Sequence, residues 1–322
     1  MKTLAATFVL VLLAGLAAEP CCMVPKDYRG TISQSAQEAV LFHHDGREEL
    51  ILKINYKIAG DKSFDSAKGL AQDKLPDRFA WIITVPNEPD AYATADAKLF
   101  EEVFAWANPL VEPPKRGRGE KLDDPPAAKG GLEFGKAVKV GPYDIQPVRA
   151  LGKEALEGLN AWLDKNGFPT EDAKHMEYFV ERKFTFLCVK VVPPEGGKAV
   201  EAAGGVPPLH LSFKSASPYY PLRFSSRQGV FDVNLTMLTK ADFDYEASDE
   251  SLTKINWAEK DFRKNVAVKP DGFPKALQDA YAKTAFKDDA GAWKLNVLRT
   301  KQTNKGNAIA GWKEDVFFRT RG

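Results

Sequence analysis

Histidine and cysteine are scarce in this chain, four and three among 322 residues. Little is left from which to build a transition-metal centre, and neither Cys-x-x-Cys nor His-x-x-x-His spacing occurs. No metal and no other cofactor is expected. A surplus of charge is lacking too: 45 basic residues face 44 acidic ones. There is no basic face to neutralise nucleic-acid phosphates and no polybasic segment to sit on anionic lipid. Beyond the first thirteen residues no apolar run is long enough to span a bilayer. A Gly-x-Ser-x-Gly elbow, a His-Glu-x-x-His pair and a phosphate-cradling glycine loop are all missing.

What the N-terminus does have is the pattern of an export signal. Lys2 supplies the positive start, Leu4 to Leu13 an apolar stretch, and Gly15 and Ala17 the small-x-small site for cleavage after Ala17 or Ala18. A lipoprotein needs its cysteine directly after a small residue, whereas Glu19 and Pro20 separate Ala18 from Cys21. The expectation is a signal peptide over residues 1–18 and a soluble mature chain, secreted or periplasmic. In an oxidising compartment thiols pair. Adjacent cysteines bridge each other poorly, so the expected disulfide joins Cys188 to Cys21 or Cys22. Such a long closed loop contributes roughly 4–5 kcal/mol on chain-entropy grounds.

The mature chain has material for a substantial core, 44% hydrophobic overall. Alternation marks strands with one wet face at "LILKINYKI" (50–58), "PLHLSFK" (208–214) and "VFDVNLTML" (230–238). Asp45-Gly46 before the first of these is a type I′ hairpin signal. "RFAWIITVP" (78–86) and "FTFLCVKVV" (184–192) are apolar on both faces and read as central strands. Helical spacing occurs over 96–107, 152–168, 170–182 and 274–286, the second stopping at Asn166-Gly167. This order predicts an α+β fold: an antiparallel or mixed sheet with helices packed mainly on one face. Residues 19–322 read as one domain, with mobile loops near 111–135 and 193–208 and a C-terminal extension over 246–322.

At "FAWIITVPNEP", "YDIQPVRA", "LNAWLDKNGF", "FTFLCVKV" and "YYPLRFSS" the chain resembles a bacterial family known as domain of unknown function 2330. The resemblance runs over roughly residues 20–240 and is fainter in the tail. It implies an exported protein and brings no catalytic residues with it.

Several constellations bear weighing. His43 and His44 sit on adjacent strand positions and point to opposite faces, so they do not chelate one ion, and Asp45 serves the turn. His210 lies on the polar face of its strand and reads as a surface residue. Ser251 and Lys254 match Ser-x-x-Lys without its companion elements, a chance-level match. Asn234 starts a glycosylation sequon but falls in a strand. Lys190 shares a strand face with Phe184, Phe186 and Cys188, so its ammonium calls for a carboxylate, and Asp144 is the candidate. These two are the weak catalytic candidates. Among the aromatics, which include Trp81, Trp106 and Trp162, Tyr219 and Tyr220 sit next to prolines and are the candidate ligand contacts at a surface turn.

The function expected from these residues is an exported, soluble, non-catalytic cell-envelope protein that binds or scaffolds an envelope component or small ligand. The alternative is a hydrolase acting on envelope polymers. A third reading is a thiol- or metal-carrying protein.

Overall fold

The structure is a computed structural model that describes residues 21–59, 75–107, 135–149, 154–193, 203–248 and 263–321. The signal segment 1–18, most of the 111–135 loop, part of the 193–208 loop and the Ser251–Lys254 motif lie outside the described residues.

The chain begins with a short strand β1 (Cys22–Met23) and a long hairpin, β2 (Thr31–His44) and β3 (Arg47–Ala59). Next come β4 (Phe79–Val85), β5 (Ala91–Thr94) and helix α1 (Leu99–Ala107). A second hairpin, β6 (Val138–Val140) and β7 (Tyr143–Arg149), leads to helices α2 (Glu154–Lys165) and α3 (Ala173–Glu181). Then follow β8 (Thr185–Val191), β9 (Ala203–Gly205), β10 (Leu209–Lys214), β11 (Tyr219–Tyr220) and β12 (Phe231–Thr239). The C-terminal part supplies β13 (Asp242–Phe243), β14 (Val266–Val268), α4 (Lys275–Tyr281) and β15 (Trp293–Thr303). Two short strands, β16 (Val316–Phe317) and β17 (Thr320–Arg321), close it.

Two sheets result. The larger runs β14-β15-β12-β2-β3-β10-β5 with β9 beside β3, and the smaller β1-β4-β8-β7-β6. β12 lies parallel to β2, so the larger sheet is mixed. The β2–β3 hairpin turns at Asp45 and Gly46, both at positive φ (50° and 71°), the twist that a two-residue loop needs. Leu50, Leu52, Ile54, Tyr56 and Ile58 of β3 face inward toward the smaller sheet, where Tyr56 meets Phe79 at 4.9 Å between ring centroids. Every residue of β4 is buried, as a central strand covered above and below requires.

The α+β class holds, but the helices are shared between two layers. α1 and α4 cover Val40, Phe42 and Ile51 on the outer face of the larger sheet. α2 packs on β7 and β8 of the smaller one, and Phe179 of α3 meets Phe186 of β8. The C-terminal part is woven in: β15 pairs with β12, and β16 with β11. No helix among the described residues is long and apolar enough to cross a membrane.

Candidate functional site

A broad concavity lies on the outer face of the smaller sheet, beside the end of α2. Its construction begins with a tight turn. Gly141, at φ 55°, and Pro142 close the β6–β7 hairpin and set Lys139 opposite Asp144. In the next pairing Asp144 stands opposite Lys190 of β8. Directly opposed residues share a face, so Lys139, Asp144 and Lys190 form one charged row across three strands. Lys190 Nζ lies 3.2 Å from Asp144 Oδ2, with the two side chains 27% and 39% exposed. The pairing expected from the sequence is therefore made, and it is wet.

The opposite wall is the C-terminus of α2. Phe168 N–H donates to Leu163 O and Gly167 N–H to Asp164 O, with Gly167 at φ 77°. This is the Schellman ending that Asn166-Gly167 predicts, and it brings an apolar residue back onto the last turn. Phe168 accordingly stacks on Trp162, ring centroids 6.0 Å apart and planes within 20°. Trp162, Lys165 and Asn166 thus face the charged row across a groove of about 350 Å³ whose walls also include Gln146, Val138 and Ile145. Asp164, next to Lys165, is engaged elsewhere: the Lys26 ammonium, 2.6 Å away, holds its carboxyl below the ordinary value.

The sequence reading found Lys190 and Asp144 but missed Lys139, Lys165, Gln146 and Asn166 as their companions. The signal for Lys139 was the Gly141-Pro142 turn, which fixes its register against Asp144.

Tyr219 and Tyr220 require correction. Both are fully buried rather than placed at a surface turn. Tyr219 pairs with Phe317 of β16, and its hydroxyl donates to Asp315 Oδ2 at 2.9 Å. The Tyr220 hydroxyl donates to Gln37 Oε1 at 2.6 Å. The cavity beside Tyr220 is about 20 Å³, room for one water and no ligand. His210 is likewise buried, not a surface residue. Its Nε2 lies 2.8 Å from Glu49 Oε2, Ser212 donates to Glu49 Oε1 at 2.9 Å, and Ala285 N–H donates to the same oxygen at 2.8 Å. This buried cluster ties the segment after α4 to the sheet.

The bridge from Cys188 to Cys21 or Cys22 is not made. Ile82 of β4 donates its N–H to Cys21 O on one side and stands opposite Cys188 on the other. β4 therefore separates their backbones by two strand spacings, roughly 10 Å, where a disulfide wants Cα atoms within about 7 Å. All three thiols are free and buried. Cys21 donates to Gln228 Oε1 at 3.1 Å, and its sulfur is 3.9 Å from that of Cys22. Burial pushes the Cys22 and Cys188 thiols up, away from the reactive thiolate. A thiol reagent is expected to leave the native protein unlabelled and, in denaturant without reductant, to label all three cysteines. Mass spectrometry reads the difference, and a smaller shift contradicts free thiols. No cluster of three or more His, Cys, Asp or Glu suited to a metal occurs among the described residues.

A family model described as an uncharacterized protein conserved in bacteria, DUF2330, matches residues 17–267. The chain belongs to the DUF2330 family. The match takes in both walls of the groove, β6 to β8 and α2, and stops before α4 and β15 of this DUF2330 protein. No curated protein matches the chain. A crystal structure of baculovirus P35 is similar at 13% identity over 76% of this chain and 78% of that one. Its TM-score is 0.37, too loose for an argument about this DUF2330 chain.

Proposed function

We propose that this DUF2330 protein is exported to the cell envelope and there holds an anionic ligand in the groove between β6–β8 and α2, without converting it. The observation that carries the reading is the in-register row Lys139–Asp144–Lys190 opposite Lys165. Three ammonium groups and one carboxylate line an open surface of a chain that is otherwise balanced in charge. The N-terminal segment with its small-residue site supports export.

A hydrolase reading rests on the same pair, since Lys190 and Asp144 do meet in a groove. The setting favours recognition. Glycoside hydrolysis uses two carboxyl groups flanking the bond, and Asp144 is the one carboxylate among the lining residues. A lysine nucleophile needs a dry pocket or a cationic neighbour pressed against it, whereas Lys190 is matched by Asp144 and open to water.

The test is co-sedimentation of the exported chain with insoluble cell-wall preparations. Binding is expected to weaken about tenfold in Lys139→Glu/Lys165→Glu and to fade as salt screens the row. Sedimentation that ignores both the double substitution and salt would remove the groove from the account.

A further inference from the structure

We infer that the anion taken by the groove is an acidic saccharide, a chain of sugar rings bearing carboxylates; this rests on the binding function proposed above. Charge selects the sign of the ligand. Asp144 is engaged by Lys190, while Lys139 and Lys165 make no ion pair among the described residues. Two ammonium groups on opposite walls therefore stand ready for carboxylates, and because the groove is open a chain can run through it.

The neutral groups select the rest of the ligand. Gln146 and Asn166 use their amide nitrogens on backbone carbonyls: Gln146 donates to Gly135 O at 2.6 Å, and Asn166 donates to Trp162 O at 2.8 Å. A carbonyl accepts only from the N–H₂ end, so both amide orientations are fixed. Their oxygens accept no bond from any described residue, which leaves two acceptors free on residues that line the groove. Hydroxyl groups satisfy acceptors. Inorganic polyphosphate at neutral pH brings oxygen acceptors and no donors, so it leaves these two amides unmatched.

Between the charges lies Trp162, half-buried and backed by Phe168. An indole fixed in plane offers a flat apolar surface with a wet edge, which suits a ring whose faces are C–H and whose rim is hydroxyl. The volume of about 350 Å³ falls in the range of small-ligand sites. Cations, outward acceptors and an aromatic platform meet in one ligand class that has carboxylates, hydroxyls and rings together.

Titration calorimetry on the exported chain, with oligogalacturonate as probe, tests this against inorganic polyphosphate, poly-glutamate and a neutral glucan. Oligogalacturonate is expected to bind at least about tenfold tighter than the other three. Gln146→Glu, which keeps the volume and turns the amide into a charge, is expected to weaken it about tenfold, and Trp162→Ala by at least as much. Should Trp162→Ala fail to fold, Gln146→Glu alone decides. Polyphosphate or poly-glutamate binding as well as the saccharide would overturn the saccharide class and leave the anion groove standing, provided Lys165→Glu still weakens them. Equal binding of the neutral glucan would overturn the charge argument. If no probe binds while the cell-wall sedimentation stays sensitive to Lys139 and Lys165, the saccharide assignment falls alone. If that sensitivity is absent too, both readings fall.

Discussion

Asp315→Ala is expected to lower the folding stability by about 4–6 kcal/mol, enough to leave a chain of ordinary stability close to unfolding at room temperature. The carboxyl of Asp315 is wholly enclosed and gathers four donors. Leu222 N–H, Arg223 N–H and Val316 N–H reach Oδ1 at 3.1, 2.9 and 3.0 Å, and the Tyr219 hydroxyl reaches Oδ2 at 2.9 Å. These donors come from β11, the turn after it and β16, so one side chain fastens the C-terminal strand to the chain around Tyr219. Alanine leaves two buried N–H groups, each worth about 1–3 kcal/mol, and the part-buried one of Arg223 without an acceptor, beside a small void. Asp315→Asn separates hydrogen bonding from charge. Burial raises the carboxyl above its ordinary value despite the four donors, so a neutral acceptor is tolerated there. Asparagine keeps an oxygen for the three N–H groups, and its N–H₂ can donate to Tyr219, whose own proton turns to Thr84 O at 3.1 Å. A loss of about 1–2 kcal/mol is expected. Urea unfolding of the two variants measures both, and Asp315→Ala within 1 kcal/mol of the parent would show that the backbone there finds other partners.

What the sequence made legible is what a single element reports about itself. Period-two alternation over 50–58 described β3 and its inner face, and Asp45-Gly46 marked the turn that both residues make at positive φ. Asn166-Gly167 named the end of α2, and Phe168 after it turned out to be the prop of Trp162. Lys190 found its partner because two strands with ionisable residues amid apolar ones had to satisfy them on the same sheet face. Alternation is silent about what lies on top of a face. His210 and Ser212 occupy the polar positions of β10, yet the segment after α4 closes over them and Glu49 reaches both from the neighbouring strand. Tyr219 and Tyr220 form a strand of two residues, too short for any period, whose partner strand is Val316–Phe317 near the far end of the chain. The thiols failed for a similar reason. The export expected from the N-terminus argued for pairing, but only the order of strands reveals that β4 stands between Cys21 and Cys188. For the groove, Lys165 required knowing where the end of α2 docks, a tertiary fact with no local signature.

Acid is expected to weaken the fold through His175, by up to about 3 kcal/mol between pH 6.5 and pH 4. The imidazole lies against Phe224 at 5.0 Å and Phe179 at 6.4 Å, and its Nε2 is buried without a partner among the described residues. Burial first, then the Arg227 guanidinium, lower its pKa from 6.5 to about 4, against the pull of the Phe224 carbonyl and of Asp172, while Arg223 adds to the lowering. The sign follows. Between those two values the unfolded chain carries a proton on His175 that the native state refuses, so stability rises with pH across the window. It is complete above 6.5 and is lost as pH falls toward 4. Carboxylates begin to titrate in the lower half of that window, so the comparison that isolates His175 is with His175→Gln, which keeps a hydrogen-bonding side chain and cannot charge. The parent's stability relative to His175→Gln should fall as pH drops from 6.5 to 5, and NMR titration should place His175 well below an ordinary histidine. An imidazole that titrates above pH 6 in the native protein would mean that water reaches Nε2, and with it the account of α3 sealed onto Phe224 would fail.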